Sequence, residues 1–269
     1  MHVNHGLSPH AAAWGDFCAE YCSRLAVPLR IVRVCVDSRG GQGVEAAARQ
    51  ARYAALADCQ ADVLLLAHHQ GDQAETVLFN LLRGTGVAGA SGMSVERLVE
   101  GGVRLLRPLL DVSRSELEAY AQECGLGWVD DESNEDVRFS RNFLRHEILP
   151  VLRGRFPSVE VSLAQAGGHF AEADALLSEL AQIDWHHAAG DAADGSASLK
   201  ALRQLSLPRL KNLLRFRLRQ KGWRSPVASR LEEFARQIFT AAPDRHPELQ
   251  LPDGSMRLSR GRLYWLPLK

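Results

Sequence analysis

Short apolar runs alternate along this chain with longer amphipathic stretches, and the alternation sets the expected elements. Residues 29–36 (LRIVRVCV) are rich in β-branched side chains and predict a strand. Residues 44–58 hold good helix formers and no proline, so they predict a helix. A buried-type strand is expected at 63–68, a helix at 73–83, and a short strand at 103–106 ending at Arg107-Pro108. The next helix, 113–124, has Ser113 as N-cap, Glu116 at the capping-box position and Gly125 as its stop. Strands alternating with helices predict an α/β fold with a mainly parallel sheet.

Residues 137–152 read as a basic helical segment closing this first domain. They carry Arg138, Arg141 and Arg145, with Arg153 just beyond, and Phe139, Phe143 and Ile148 as apolar anchors. A helix is expected from 158 to about 187, with Phe170, Leu176, Leu177 and Leu180 as an ordinary core stripe. Small and polar residues at 188–196 suggest a linker. A basic helical pair at 199–222, a helix near 228–239 and a hairpin-like alternation at 249–266 follow. The expected domains are 1–155 (α/β), 156–195 (helical connector and linker) and 196–269 (smaller, mostly helical and basic).

Composition adds limits. The 269 residues are 46% apolar, as in a soluble globular protein, and hold no run of 18 uninterrupted apolar residues. The first residues have neither a basic start nor an apolar signal core. Five unevenly spaced cysteines with no C-x-x-C point to reduced thiols in a cytoplasm, without a zinc or iron–sulfur framework. The formal net charge of zero hides a division: residues 200–269 carry 16 Lys and Arg against 5 Asp and Glu, and residues 1–199 carry 16 against 27. A polyanion held by the basic part and worked on by the acidic part is one reading; mutual neutralisation is the other.

The densest chemistry lies in residues 64–76 (LLLAHHQGDQAET), where an apolar run ends in two histidines and a polar cluster opens a helix. Helix N-termini at strand ends suit phosphate-bearing ligands. Asp72 and Thr76 share a helix face, with His69 at the strand end, and a carboxylate there can hold Mg²⁺. The competing reading makes Asp72 an N-cap, with Glu75 completing its capping box. Residues 84–89 (GTGVAG) fit G-x-G-x-x-G but follow a helix, so they read as a tight turn near the site rather than a dinucleotide loop.

Taken together, residues 2–8 (HVNHGLS), 43–53 (GVEAAARQARY), 67–76 (AHHQGDQAET), 82–86 (LRGTG), 107–110 (RPLL), 131–134 (DESN) and 141–145 (RNFLR) resemble the tRNA(Ile)-lysidine synthase family of PP-loop (N-type) ATP pyrophosphatases. The resemblance covers nearly all of 1–155 and continues loosely into the basic region. It implies a Rossmann-like, adenine nucleotide alpha hydrolase-like sheet with helices on both faces. It also implies ATP and Mg²⁺ as cofactors, with tRNA(Ile) bearing a CAU anticodon and free L-lysine as partners. The implied chemistry adenylates C2 of the wobble cytidine and lets the lysine amine displace AMP. Asp72 would be the acidic catalytic or metal residue, with His69 beside it and Thr76 supporting. His5, Gly6, Arg83, Gly84, Arg141 and Arg145 would bind nucleotide. Glu45, Arg49, Arg52 and Asn142 would bind substrate. Arg215, Arg219 and Lys221, in the basic stretch 203–224, would grip tRNA, with Phe216 and Trp223 either stacking on bases or forming the apolar side of a helix. The family is cytoplasmic with no membrane partner, and a homodimer is compatible with it.

Two departures from the family pattern stand out. Gly71 occupies a position where members often carry a second acidic residue, and the Ser-Gly-Gly-x-Asp-Ser loop is absent before His2. The loop's absence suggests that the natural protein starts upstream and that the 269 residues alone are catalytically weak. The strand carrying that loop would lie inside the sheet, so its loss would bare sheet edges and apolar surface. Two rival readings remain: a PP-loop tRNA thiolase, for which Cys18 and Cys22 are the closest cysteine pair, and a tRNA-binding remnant without turnover.

Overall fold

The β-branched and leucine-rich runs form short strands, and the amphipathic stretches between them form helices. A computed structural model describes residues 1–36, 44–59, 61–98, 102–190, 194–242 and 245–268, with backbone alone at 44–46. The loop expected at 40–43 lies outside the described residues. The chain divides into two compact units, Met1–Ala171 and Glu172–Lys269.

The first unit runs β1 (His2–Asn4), α1 (Ala11–Arg24), β2 (Ile31–Arg33), α2 (Val44–Ala57), β3 (Val63–Leu65), α3 (Gln70–Leu82), α4 (Val87–Ala90), β4 (Glu96–Leu98), β5 (Arg104–Leu106) and α5 (Arg114–Glu123). β1 pairs parallel with β2, His2 opposite Ile31. β3 pairs parallel with β5, Val63 opposite Arg104, and β4 adds antiparallel on the other side of β5. Among the described residues these are two separate sheets, β1–β2 and β3–β5–β4, so β1 and β3 each keep an open edge. Ile31, Val63, Leu65 and Leu98 expose apolar side chains on these strands.

Local signals place several boundaries. Ser113 Oγ accepts from the Glu116 N–H and Glu116 returns a bond to the Ser113 N–H, closing the box that starts α5. Gly125, at φ +60°, turns the chain out of that helix in the left-handed region. α3 begins at Gln70, three residues before the pattern suggests, because His69 and Asp72 close a box of their own. Beyond α5 come a 3₁₀ turn at Glu132–Glu135, α6 (Ser140–Phe143), a π-helical turn at Leu144–Ile148, α7 (Leu149–Arg155) and the long α8 (Val159–Ala189).

In the second unit, β6 (Ala197–Ser198), α9 (Leu199–Leu202), α10 (Leu207–Gln220) and α11 (Ala228–Thr240) precede β7 (Glu248–Leu251), β8 (Gly254–Ser259) and β9 (Arg262–Pro267). The strands form an antiparallel sheet in the order β6-β9-β8-β7. The core joins Leu210, Leu213, Leu214 and Leu218 of α10, Leu231, Phe234 and Ile238 of α11, and Met256, Leu263 and Trp265 of the sheet. The expected hairpin is β8–β9. β7 is the start of the expected alternation at 249–266, and β6 extends the sheet, being too short to show a period of its own. Two expectations change here. Leu176 is exposed rather than core, and the ends of the supposed linker, Ala188 and Ser196, are buried. No helix among the described residues is long and apolar enough to cross a membrane.

Candidate functional site

The first unit contains a cavity of about 700 Å³, within the size range of small-molecule sites. Its walls come from β1 and the turn after it (His2 to Ser8), Arg49 and Arg52 of α2, His68 beyond β3, Asp72 of α3, residues 131–134, Arg141 and Asn142 of α6, and Arg145.

The start of α3 is built around His69, which is its N-cap. His69 Nδ1 accepts from the Gly71 N–H at 3.0 Å, and Asp72 Oδ2 accepts from the His69 N–H at 3.0 Å. Gly71 allows this: a Cβ there would sit 2.9 Å from His69 Cε1, so a side chain would push the capping ring aside. Asp72 is therefore the returning member of the box and not the N-cap, and Glu75 takes no part in it. The helix begins earlier than the apolar period indicated, which moves every position along by one turn.

Glu75 instead meets Arg145. Arg145 Nε donates to Glu75 Oε1 at 2.6 Å and Nη2 to Oε2 at 3.0 Å, while Nη2 also reaches Asp72 Oδ1 at 3.2 Å. The Glu75 side chain is 4% exposed and that of Arg145 25%. Burial works to lower the Arg145 pKa, but the Glu75 hydrogen bond and the charges of Glu75 and Asp72 outweigh it and hold the guanidinium above its ordinary value. Arg145 sits in the π-helical turn, a form often found at functional positions. Thr76 Oγ1 donates to the Asp72 carbonyl at 2.7 Å and accepts from Arg141 Nη2 at 3.2 Å. Asn142 Nδ2 donates to the carbonyls of Ser133 and Asp136, at 2.7 and 3.0 Å, and so holds the 131–136 segment beside α6.

The basic side of the cavity is partly desolvated. Burial, then the neighbouring Arg49, lowers the Arg52 pKa. Burial, then Arg52 and His2, lowers that of His5, whose Nδ1 is buried without a partner among the described residues. His68 is pushed down to about 4, first by burial and then by Arg107, Arg49 and Arg52, with Asp72 opposing. The unfolded chain, with His68 near 6.5, takes up a proton that the folded chain refuses. The stability contributed by neutral His68 is therefore complete above pH 6.5 and is lost as the pH falls toward 4. Between pH 7 and pH 5, the urea midpoint of the wild type should drop more than that of His68→Gln. Equal drops would show that His68 titrates normally.

Of the residues expected at the site, His5, Gly6, Arg49, Arg52, Asp72, Arg141, Asn142 and Arg145 line the cavity. His69 and Thr76 stand behind it, bonded to Asp72 and Arg141. Arg83 and Gly84 are not brought to it. They follow the C-terminal end of the 13-residue α3, about 20 Å along the axis from its start, and Arg83 lies over the Phe79 ring. The glycine-rich turn at 84–89 thus lies outside the lining of the cavity. The Glu45 side chain lies outside the described residues. His68, Ser8 and Asp131 to Asn134 also line the cavity without having been assigned to it. His68 and the DESN run were visible as motif residues, but nothing local showed which way they face. No cysteine is among the lining residues. Cys18 is in α1, with its Sγ 3.7 Å from His2 Nδ1.

In the second unit, Arg215 is exposed, Arg219 is held by Asp174 at 2.8 and 3.2 Å, and the Lys221 ammonium lies 5.7 Å from the Trp223 ring centroid. Phe216 is buried, so it forms the apolar side of α10 and does not present a stacking face.

The PP-loop domain family matches residues 1–152, more than half of the chain and all of the cavity. The chain belongs to the PP-loop family. Its fold is the adenine nucleotide alpha hydrolase-like one, with parallel strand pairs linked through helices and a further domain containing a sheet. The TilS substrate binding domain family matches residues 198–264, in the second unit. A tRNA(Ile)-lysidine synthase of Nitrosomonas europaea is 44% identical over 269 residues, covering 99% of this chain and 58% of the relative. Another, of Pseudomonas fluorescens, is 46% identical over 278 residues, covering 99% of this chain and 61% of the relative. The PP-loop chain thus spans about three-fifths of the length of these curated relatives. The solved U34-tRNA thiolase NcsA from Methanococcus maripaludis covers 63% of this chain and 61% of its own, at a TM-score of 0.47 and 16% identity, too distant to bear on function.

Proposed function

We propose that this chain supplies catalytic and substrate-binding residues for the reaction of a tRNA(Ile)-lysidine synthase: ATP-dependent attachment of lysine to C2 of the wobble cytidine in tRNA(Ile) with a CAU anticodon. The observation that carries the reading is the cavity, where Arg49, Arg52 and Arg141 meet the Asp72 carboxylate beside an uncharged His68. Phosphoryl and adenylyl chemistry needs fixed donors around developing negative charge, and three guanidiniums supply them. Asp72 is held by the His69 N–H and by Arg145, which aim its carboxylate at the cavity and leave lone pairs free.

The donor set fits Mg²⁺. No cluster of three ligating side chains occurs among the described residues, and Mg²⁺ usually takes one or two carboxylates and completes its shell with phosphate oxygens and water. Asp72, with Asp131 or Glu132, which also line the cavity, would hold it, and the ion would neutralise phosphate charge. The incoming lysine amine must reach the site uncharged, and an Asp72 lone pair not engaged by the ion would take its proton. The roles of His5 and Gly6 on the nucleotide side, of Arg49, Arg52 and Asn142 on the substrate side, and of a cytoplasmic setting belong to the same proposal. The test is AMP release from ATP by the purified chain. Release that needs both free lysine and tRNA(Ile) supports the reading. Release driven by a sulfur donor in place of lysine, or by no amine, overturns it.

The second unit is proposed to bind the tRNA, with Arg215 and Lys221 as contacts to its phosphates. Arg219 is less suited, being already paired with Asp174. Neutralising Arg215 and Lys221 together, as Arg215→Gln with Lys221→Gln, should weaken tRNA binding. It should also lower the slope of log K against log salt by about 1–2, one counterion per lost phosphate contact. An unchanged slope in a filter assay would place the tRNA elsewhere.

A further inference from the structure

Arg107 is an arginine that the proposed chemistry leaves unused, yet it is almost wholly buried, at 3% exposed. It follows β5 directly. Its backbone N–H donates to the Val95 carbonyl at 2.8 Å, and its Nη1 donates to the Ser94 carbonyl at 2.7 Å. Guanidinium and backbone are thus both anchored to the segment before β4. From that anchored position Nε donates to His68 Nδ1 at 3.3 Å. A guanidinium has donors and no acceptor and keeps its protons in proteins, so the imidazole nitrogen facing it must be the bare one. The ring proton then belongs on Nε2. His68 lines the cavity, Arg107 does not, and Nε2 has no partner among the described residues.

We propose that Arg107 is a positioning residue that holds the His68 ring as the Nε2–H tautomer and turns that N–H into the cavity as a fixed donor to a phosphoryl oxygen of the bound substrate. The inference rests on the cavity being a nucleotide site. His68 faces Asp72 from α3, Arg49 and Arg52 from α2, and Arg107 from beyond β5. Burial and the three guanidiniums hold it uncharged at about neutral pH against the single carboxylate. A neutral N–H whose direction is fixed in advance stabilises charge as it develops on an oxygen, without reorganising during the reaction. A freely rotating or tautomerising ring would present a lone pair to the same oxygen part of the time, which repels it. Arg107 removes that alternative.

The experiment is ¹⁵N NMR of the histidine rings in the ligand-free full chain at neutral pH, with His68 assigned by its loss in His68→Gln. The expected wild-type spectrum shows His68 protonated at Nε2 and bare at Nδ1. Arg107→Met should populate both tautomers and raise the His68 titration midpoint from about 4 toward 6.5. Arg107→Lys, which keeps a charge and a donor but loses the second anchor, should fall between them. A wild-type His68 protonated at Nδ1 overturns the proposal, and that spectrum decides even if Arg107→Met fails to fold. An unchanged tautomer in a folded Arg107→Met also overturns it. Titration with ATP then separates the two readings. ATP shown by calorimetry to bind while leaving the Nε2 signal unmoved overturns the donor role. An absence of ATP binding counts against the nucleotide site and leaves the tautomer result standing.

Discussion

Arg145→Ala is expected to cost the first unit about 3–5 kcal/mol, because removing one partner of a buried pair strands the other. The stranded group is Glu75, 4% exposed in the middle of α3, with two of its hydrogen bonds coming from Arg145. Water cannot easily replace them there: Ala74 and Val77 beside it are fully buried. Urea unfolding followed by far-UV circular dichroism would measure the loss. Arg145→Ala combined with Glu75→Gln should recover more than half of it, since the uncharged amide no longer demands a counter-ion. A loss below about 1 kcal/mol for Arg145→Ala, the size of a solvated surface pair, would mean that the pair is not desolvated in solution. The pair also orients Asp72 through Nη2, so the recovered double variant should be stable and still inactive.

Asp72→Asn is expected to lower the rate of AMP release by about 10²–10⁴-fold, the range typical of losing a positioned acid–base group. The fold should barely notice. The Asn Oδ1 can still accept the His69 N–H and preserve the box that starts α3, so the stability change should stay near 1 kcal/mol, the scale of one capping bond. Arg145 keeps its bidentate partner in Glu75. A comparable loss of rate and of stability would make Asp72 a structural cap. A retained rate would remove it from the chemistry altogether. The two variants are complementary: one breaks the support beneath the site, and the other changes one charge within it.

The sequence carried what is local. The capping box at Ser113 and Glu116 and the stop at Gly125 are contacts within four residues, so residue types and spacing suffice to place them. The same holds for α2, legible from its good helix formers, for α10 and α11, and for the cluster from His68 to Thr76, dense enough in motif residues to mark a candidate site. Short strands such as β4 and β6 were not legible, because two or three residues show no period. α3 misled at its start for a related reason: the cap came from a histidine, a residue type with weak capping preference, over a glycine that leaves it room.

Only the tertiary structure decided which charges meet. Arg145 finds Glu75 across 70 residues, Arg141 finds Thr76 across 65, and Arg107 finds His68 across 39. It also left Arg83 and Gly84 outside the lining of the cavity, since the 13-residue α3 puts its two ends about 20 Å apart. The sequence determined the family, most of the helices and the candidate site residues, because those depend on composition and short-range spacing. The fold determined their pairing and their burial, because those depend on what is brought against each group from distant parts of the chain.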